Sequence, residues 1–487
     1  MNRLSLLLGP LVSCLAALPA VADEPRPQPN IVFIFADDWG WGDLSCHGHP
    51  WLETPNLDRL ASEGIDFMQF NVLNPVCSPS RTALMTGLYP ARFSIHQHFA
   101  TPARNQARNM PDWLDPRAET LPQLLEQAGY RTGHFGKWHL TNRETHGAPK
   151  PEAYGYDEAA VFNGNAGWPS ADLHATAPNT AAFIKANKDK PFFINVWLHE
   201  SHTPHVPTKA SMEKWKHLDE QKQVYAAVIT DGDDAVGVIL NALKEAGVED
   251  NTIVLFSSDN GPEWTGAQKE KGFTAKDDHT RSQGYGTYYS VGDTGGLRGR
   301  KRSLFEGGVR VPFLVRWPGR APAGMKNETT VVTAVDMLPT LCAAAGVTLP
   351  EGYASDGENL VDALSGKVVS RTRPIFWEWR GPAQEPDWWP QLAVRDGDWK
   401  LVLAKESGRA ELYRLSDDRG ETRDRAAEHP EIVARLSAMA AAWAKTLPES
   451  PDEACISRSD RVRAPSRSGR EAPKPRGKGT GSPSAPR

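Results

Sequence analysis

The sequence predicts an α/β protein with a large, mostly parallel central sheet sandwiched by helices. A smaller C-terminal subdomain, an antiparallel sheet plus a helix, follows it. Three observations carry this prediction. Apolar runs rich in β-branched and aromatic residues recur along the chain, each ending in acids or histidines. Amphipathic stretches lie between them, and strands alternating with helices build a parallel sheet covered on both faces. After about residue 365 the text changes to short strands joined by hairpin turns. The 487 residues suffice for one large core and a smaller unit, and 39% hydrophobic with 24% charged residues is globular material. A formal net charge of -5 gives no whole-protein argument for nucleic acid or an anionic membrane as partner.

Taken in order, the chain opens with MNRLSLLLGPLVSCLAALPAVADEP. Arg3, an apolar run and Ala20-Val21-Ala22 before Asp23 predict a signal peptide over residues 1–22, hence a secreted or periplasmic protein. The run is too short and too interrupted by Pro and Gly to span a membrane. Leu11-Val12-Ser13-Cys14 has the form of a lipobox, which leaves a lipid anchor on Cys14 as the alternative. PNIVFIFADDWGWGD (29–43), KPFFINVWLHESHTPHVP (190–207) and NTIVLFSSDNGP (251–262) read as buried strands with polar ends. VRVPFLVRWPG (309–319) reads as one further strand. ETPNLDRLASEGI, ETLPQLLEQAGY, AVDMLPTLCAAAG and a long stretch ending at Gly247 read as helices. RPIFWEW, QLAVRDGDWKLVLAK and AELYRLSDD read as short strands with a turn at Asp396-Gly397, before the helix HPEIVARLSAMAAAWAKTL. The expected division is an N-terminal domain over 23–365, a C-terminal subdomain over 366–453, and a basic, disordered tail over 454–487. Residues 263–295 are long for a connection and are expected to face the ligand or act as a lid.

In open α/β sheets ligands gather beyond the carboxyl ends of the strands, where this chain carries its acids and histidines. Asp37 and Asp38 are adjacent, so both reach one site only if the strand has ended before them. They are either a turn aspartate with a solvated neighbour or part of a hard-cation site, and their buried lead-in favours the second. Asp259 and Asn260 would complete an all-oxygen set for Ca²⁺ or Mg²⁺, which argues against structural zinc. Arg81 follows Cys77 by four positions and shares its helix face. Lys137, His139, His199, His202, His205 and Lys301 add cationic or titratable groups, together describing a pocket for sulfate or phosphate. Four scattered cysteines beyond residue 22 make no disulfide scaffold. Cys342 reads as a buried small hydrophobe, and Cys46, near Asp43 and His47, is assigned no role.

Cys77-Ser78-Pro79-Ser80-Arg81, followed by Thr86-Gly87-Leu88-Tyr89-Pro90, resembles the signature of the type I, formylglycine-dependent sulfatases of the alkaline phosphatase superfamily. NIVFIFADDWGWGD, TGHFGKWHL, HTPH, SSDNGP and LRGRKRSLFEGGVRVP resemble that family's other blocks in order, over about residues 29–445. The resemblance implies that a formylglycine-generating or anaerobic maturation enzyme converts Cys77 to an aldehyde, which hydrates to a diol. It implies Asp37, Asp38, Asp259, Asn260 and the group at Cys77 as ligands of a divalent cation, Ca²⁺ before Mg²⁺. Arg81 would hold the diol, Lys137 and Lys301 would grip sulfate, His139 would stand beside the diol, and His202 would protonate the leaving alcohol. One diol oxygen would attack sulfur, and the other would then expel sulfate as the aldehyde reforms. His205 and His199 also lie in the histidine block, and Arg300 stands where a glycine is common in the lysine block. The expected function is sulfuric ester hydrolysis on a sulfated mono-, oligo- or polysaccharide, which the 16 Trp also suit. The alternatives are a phosphate or phosphonate ester hydrolase of the same superfamily, or a non-catalytic binder of sulfated glycans.

Overall fold

The computed structural model describes residues 28–142, 145–163, 172–270, 284–382, 384–405 and 407–457. The expected signal peptide, Cys14 and the middle of the 263–295 segment lie outside these residues. The strand Asn30–Ala36 is wholly buried at the centre of an eight-stranded sheet. Its odd residues Ile31, Phe33 and Phe35 enter one core, and its even residues Val32, Ile34 and Ala36 enter another. That two-sided burial is why the run reads as continuously apolar rather than alternating. Each large apolar side chain so buried contributes about 1.5–3 kcal/mol.

Asn30–Ala36 pairs in parallel with Thr252–Ser258 on one side and Phe192–Trp197 on the other. Phe33 is thereby level with both Leu255 and Asn195. Outward from Phe192–Trp197 lie Arg131–Lys137 and then Glu158–Phe162, both parallel. On the other flank Phe313–Arg316 runs antiparallel, followed by Ile65–Phe67 and Met325–Asn327. The carboxyl ends of the four central parallel strands therefore open on one edge.

Helix Glu220–Glu245, capped by the Asp219 carboxylate on Lys222 N at 3.1 Å, covers one face and stops before Gly247 at φ 70°. Helix Cys77–Thr86 covers the other, with all ten residues buried and Gly87 closing it at φ 61°.

The expected single strand over 309–319 is two pieces in two sheets. Arg310–Val311 joins a three-stranded sheet with Phe70–Asn71 and Val332–Thr333, whereas Phe313–Arg316 joins the main one. Pro312 between them has no N–H to give a ladder. Arg131–Lys137 carries little apolar text, so the sequence shows its motif but not its strand. Its glycines explain that: a Cβ on Gly136, at φ 101°, would stand 2.2 Å from the Trp197 carbonyl oxygen.

Beyond helix Val361–Leu364, strands Ile375–Glu378, Leu392–Asp396, Trp399–Leu403 and Ala410–Arg414 form an antiparallel meander. The register Asp396 to Trp399 makes Gly397-Asp398 the two-residue connection, with Gly397 at φ 58°. Helix Pro430–Ala444 packs Leu436 and Ala440 on Val394, Leu401 and Leu412. Of the tail expected over 454–487, residues 454–457 are described, and they pack against the main domain. Cys455 is buried, its carbonyl accepts from Asp112 N at 2.8 Å, and Ser457 N donates to Asp112 Oδ2 at 2.7 Å. Residues 458–487 lie outside the described part.

Candidate active site

The four strand ends converge. Asn30–Ala36 stops at Ala36, and Asp38 turns at φ 63°, so both adjacent aspartates reach one cluster. Thr252–Ser258 delivers Asp259 and Asn260, Arg131–Lys137 ends in Lys137, and Phe192–Trp197 leads into His199 and His202. His139 at φ 53° and Arg302 at φ 73° are two more non-glycine residues in the left-handed region at this site. Such conformations cost of order 1–3 kcal/mol each and gather where side chains must be aimed.

Asp37, Asp38, Asp259 and Asn260 form a floor with almost no solvent exposure. Lys137 Nζ donates to Asp37 Oδ2 at 2.6 Å, and Lys301 Nζ to Asp38 Oδ2 at 2.6 Å. Arg81 donates from Nε and Nη2 to Asp259 Oδ2 at 3.0 and 2.7 Å, and its guanidinium lies 4.8 Å from the Trp197 ring centroid. Asn260 Nδ2 donates to Asp38 Oδ1 at 2.7 Å. Two buried oxygens, Asp37 Oδ1 and Asn260 Oδ1, have no hydrogen-bond partner, nor has Arg81 Nη1. Unpaired buried oxygens are costly, and a hard cation is what such oxygens accept.

The ionisation of the floor agrees. Burial pushes Asp37 up, but the Lys137 ammonium above all, with the His199 hydrogen bond, holds it well below the usual carboxylate range. Burial raises Asp38 to about 6 despite Lys301, and burial with the neighbouring Asp37 raises Asp259 well above its ordinary value. Three carboxylates this close do not all stay ionised without added positive charge. The residues present therefore fit a divalent cation.

Cys77 is the first residue of its helix, with Pro79 in the first turn where a missing N–H costs nothing. Its Sγ is 3.2 Å from His139 Nδ1, and His139 Nε2 is 3.1 Å from the Phe99 carbonyl. That carbonyl only accepts, so Nε2 carries the proton and Nδ1 faces the thiol. Burial first, then Lys137, pulls His139 well below its usual value and keeps the ring neutral. His202 stacks on His199 with centroids 4.5 Å apart, and its Nε2 lies 3.9 Å from Asp38 Oδ2. Burial, then Lys137 and Lys301, likewise lowers His202.

Cys77, Lys137, His139, His202 and Lys301 line one cavity of about 390 Å³, with the carboxylate floor behind them. His199 bonds Asp37 at 2.6 Å from beneath. His205 is turned away, its Nε2 3.0 Å from Ser290 Oγ and its backbone paired with Tyr285. Arg300 neither lines this cavity nor ends in solvent. It donates to the carbonyls of Glu263 at 3.2 Å and Gly292 at 2.6 Å, tying two loops together. Sequence reasoning missed Glu263 and Arg302, although Arg302 adjoins Lys301 and Glu263 opens the segment expected to face the ligand. Glu263 holds Lys301 at 3.3 Å and accepts from Arg302 Nη2 at 2.9 Å. Thr287 of the 263–295 segment also lines the cavity.

A second group, Cys46, His47 and Asp66, lies within ligand distance of one another but lines no part of this cavity. Both His47 nitrogens are engaged, Nδ1 with the Trp41 carbonyl at 2.6 Å and Nε2 with Asp66 at 3.1 Å. No helix among the described residues is long and apolar enough to cross a membrane.

Comparison with known proteins gives two family matches: Sulfatase over residues 29–347, and N-sulphoglucosamine sulphohydrolase, C-terminal, over residues 299–442. The chain is 27% identical to an N-acetylgalactosamine-6-O-sulfatase of Bacteroides thetaiotaomicron, over 84% of this chain and 92% of that one. It is 33% identical to the N-acetylgalactosamine-6-sulfatase of Homo sapiens, over 72% of this chain and 68% of that one. Among solved structures, Ps i-CgsB in complex with k-i-k-neocarrahexaose superposes with a TM-score of 0.73 at 25% identity, covering 88% of this chain and 96% of that one.

Proposed function

This chain belongs to the sulfatase family, and on that premise we propose that it removes sulfate from a sulfated carbohydrate, using a formylglycine formed at Cys77 and a divalent cation, Ca²⁺ before Mg²⁺. The observation that carries this reading is the buried all-oxygen floor, with two unpartnered oxygens, bonded to the two lysines that line the cavity with Cys77. When present, the cation would supply positive charge to the sulfate oxygens and the formylglycine would supply the attacking oxygen.

The chain's own residues do the rest. Asp37, Asp38, Asp259 and Asn260 would hold the cation, and Arg81 fixes Asp259 from below. Lys137 and Lys301 line the cavity while bonded to Asp37 and Asp38, and their ammonium groups take sulfate oxygens. His139, neutral with Nδ1 toward position 77, accepts the proton released there. His202 is neutral in the free site, and the incoming sulfate charge favours its protonated form, which donates to the departing alcohol. Position 77 at a helix start adds free N–H groups and the positive end of the helix.

The cavity's 390 Å³ lies at the low end of the range of about 300–1,000 Å³ for small-molecule sites, which suits a sugar residue with its substituents. We place residues 23–365 as the catalytic domain and 366–453 as its subdomain, with a secreted or periplasmic location from the 1–22 leader. A phosphate or phosphonate ester hydrolase would use a second metal set at the cavity, and the Cys46 group does not border it.

The test is desulfation of a panel of defined sulfated mono- and oligosaccharides, before and after chelation. We expect sulfate release on at least one member, lost with chelator and restored by Ca²⁺. Hydrolysis of phosphate esters alone would refute the proposal.

A further inference from the structure

We infer that the substrate carries a second anionic group, a carboxylate or a further sulfate ester, near the ester that is cleaved, and that Arg104 receives it. The inference rests on the sulfated-carbohydrate reading above. Four formally cationic side chains line the cavity: Arg104, Lys137, Lys301 and Arg302. Three of them are engaged with carboxylates, Lys137 with Asp37, Lys301 with Asp38 and Arg302 with Glu263. Arg104, the exposed one of the four, has no carboxylate partner among the described residues, so its charge is open to a ligand in the cavity it lines.

The mount of Arg104 is fixed even though its side chain has no acidic partner among the described residues. Phe99 N donates to Ser78 Oγ at 3.0 Å, and the Phe99 carbonyl bonds His139 at 3.1 Å. The segment leading to Arg104 is thus held by the Cys77 helix and by the histidine beside Cys77. Asn105, its neighbour, bonds both backbone groups of Ala100, at 2.8 and 3.1 Å, and Asp112 at 2.9 Å. Arg108 lies one turn further along and donates to the His98 carbonyl at 3.1 Å. Two like charges at this spacing disfavour the helix on their own. Burial and the Arg104 charge pull Arg108 below its usual range. A bound anion would relieve that repulsion, and the planar guanidinium fork matches carboxylate and sulfate alike. Arg104 lines the same cavity as Cys77, so the second anion would sit on the sugar that carries the cleaved ester or on its neighbour.

The experiment measures kcat/KM of wild type, Arg104→Gln and Arg104→Lys on matched substrates. These are an N-acetylhexosamine 6-sulfate, the same sugar with a second sulfate, the same sugar joined to a uronate, and 4-nitrocatechol sulfate. We expect wild type to prefer a dianionic member, and Arg104→Gln to lower the ratio of dianionic to monoanionic kcat/KM by about tenfold, through KM. Arg104→Lys should recover part of it. The preferred dianionic member identifies sulfate or carboxylate as the second group. An unchanged ratio in Arg104→Gln, or no dianionic preference in wild type, overturns the inference and leaves the proposed function standing. Turnover of 4-nitrocatechol sulfate with no sulfated sugar accepted would refute the carbohydrate reading itself, and this inference with it.

Discussion

Two clusters of buried charge can be set side by side in this chain. One is the floor of Asp37, Asp38, Asp259 and Asn260 with Arg81, Lys137 and Lys301. The other joins the main domain to the C-terminal sheet. There Lys400 Nζ lies 2.8 Å from Glu306 and 3.0 Å from Glu421, with all three side chains at 0% exposure or nearly so. Arg310 adds a contact to Glu306 at 3.3 Å. Both clusters are buried and rich in ion pairs, so neither burial nor charge separates them. The difference is in what is left over. The second cluster also holds buried atoms without a hydrogen bond, Glu421 Oε1 and Arg310 Nε, but each faces an opposite charge, at 3.0 Å from Lys400 and 3.3 Å from Glu306. The floor leaves Asp37 Oδ1 and Asn260 Oδ1 with no hydrogen bond and no such ion pair among the described residues, and its lysines line the cavity with Cys77. In the second cluster one ammonium bridges two carboxylates and ties strand Trp399–Leu403 to helix Glu306–Val309. Unspent oxygens beside a cavity mark a place for chemistry, whereas a shared cation marks a fastening.

The strongest way to break this distinction is Asp38→Asn. It should lower kcat on an aryl sulfate by about 10²–10³-fold, the range seen when one preorganised electrostatic contact is lost. Unchanged turnover would place the floor among the fastenings. Next comes Lys400→Met, which strands two carboxylates in the interior and should cost about 3–5 kcal/mol in denaturant unfolding. Turnover per folded molecule should stay near wild type, and a selective loss of kcat would show that the second cluster also serves the reaction.

The smallest effect is on pH dependence. Burial raises Glu421 to about 7 despite Lys400. Burial also pushes Glu306 up, but Lys400 and Arg310 hold it down to about 2. Glu421 binds its proton more tightly when folded, so its contribution is complete below its unfolded value of about 4.5 and is lost as pH rises through about 7. Glu306 behaves oppositely: its contribution is present above about 4.5 and is lost as pH falls through about 2. Urea midpoints of Glu421→Gln should therefore fall less than those of wild type between about pH 5 and pH 7.5. Parallel curves would refute the assignment.

The same contrast explains what the sequence disclosed. The three central strands announced themselves because both faces are buried, and their polar ends gave Asp37, Asp38, Asp259, Asn260 and the histidines. Cys77 and Arg81 were legible through a helical spacing and a short motif. Arg131–Lys137 was not, because Gly133 and Gly136 stand where neighbouring rings and the Trp197 carbonyl leave no room for a side chain. The break at Pro312 was written in the text, yet only pairing shows that its two halves serve different sheets. Lys400, Glu306 and Glu421 are far apart in sequence and carry no local pattern, so their meeting is a product of the tertiary fold alone. Arg300 drew notice through its neighbours, and its carbonyl partners appear only when loops 263 and 292 are brought together.

We propose Cys77 as a precursor rather than the working group. The most direct measurement is the intact mass of the peptide spanning Cys77 from enzyme that desulfates its substrate, with aldehyde trapping by a hydrazide. The expected result is a peptide lighter than its thiol form that reacts with hydrazide, in a fraction that tracks specific activity. A peptide of full thiol mass in enzyme turning over at the normal rate would contradict it.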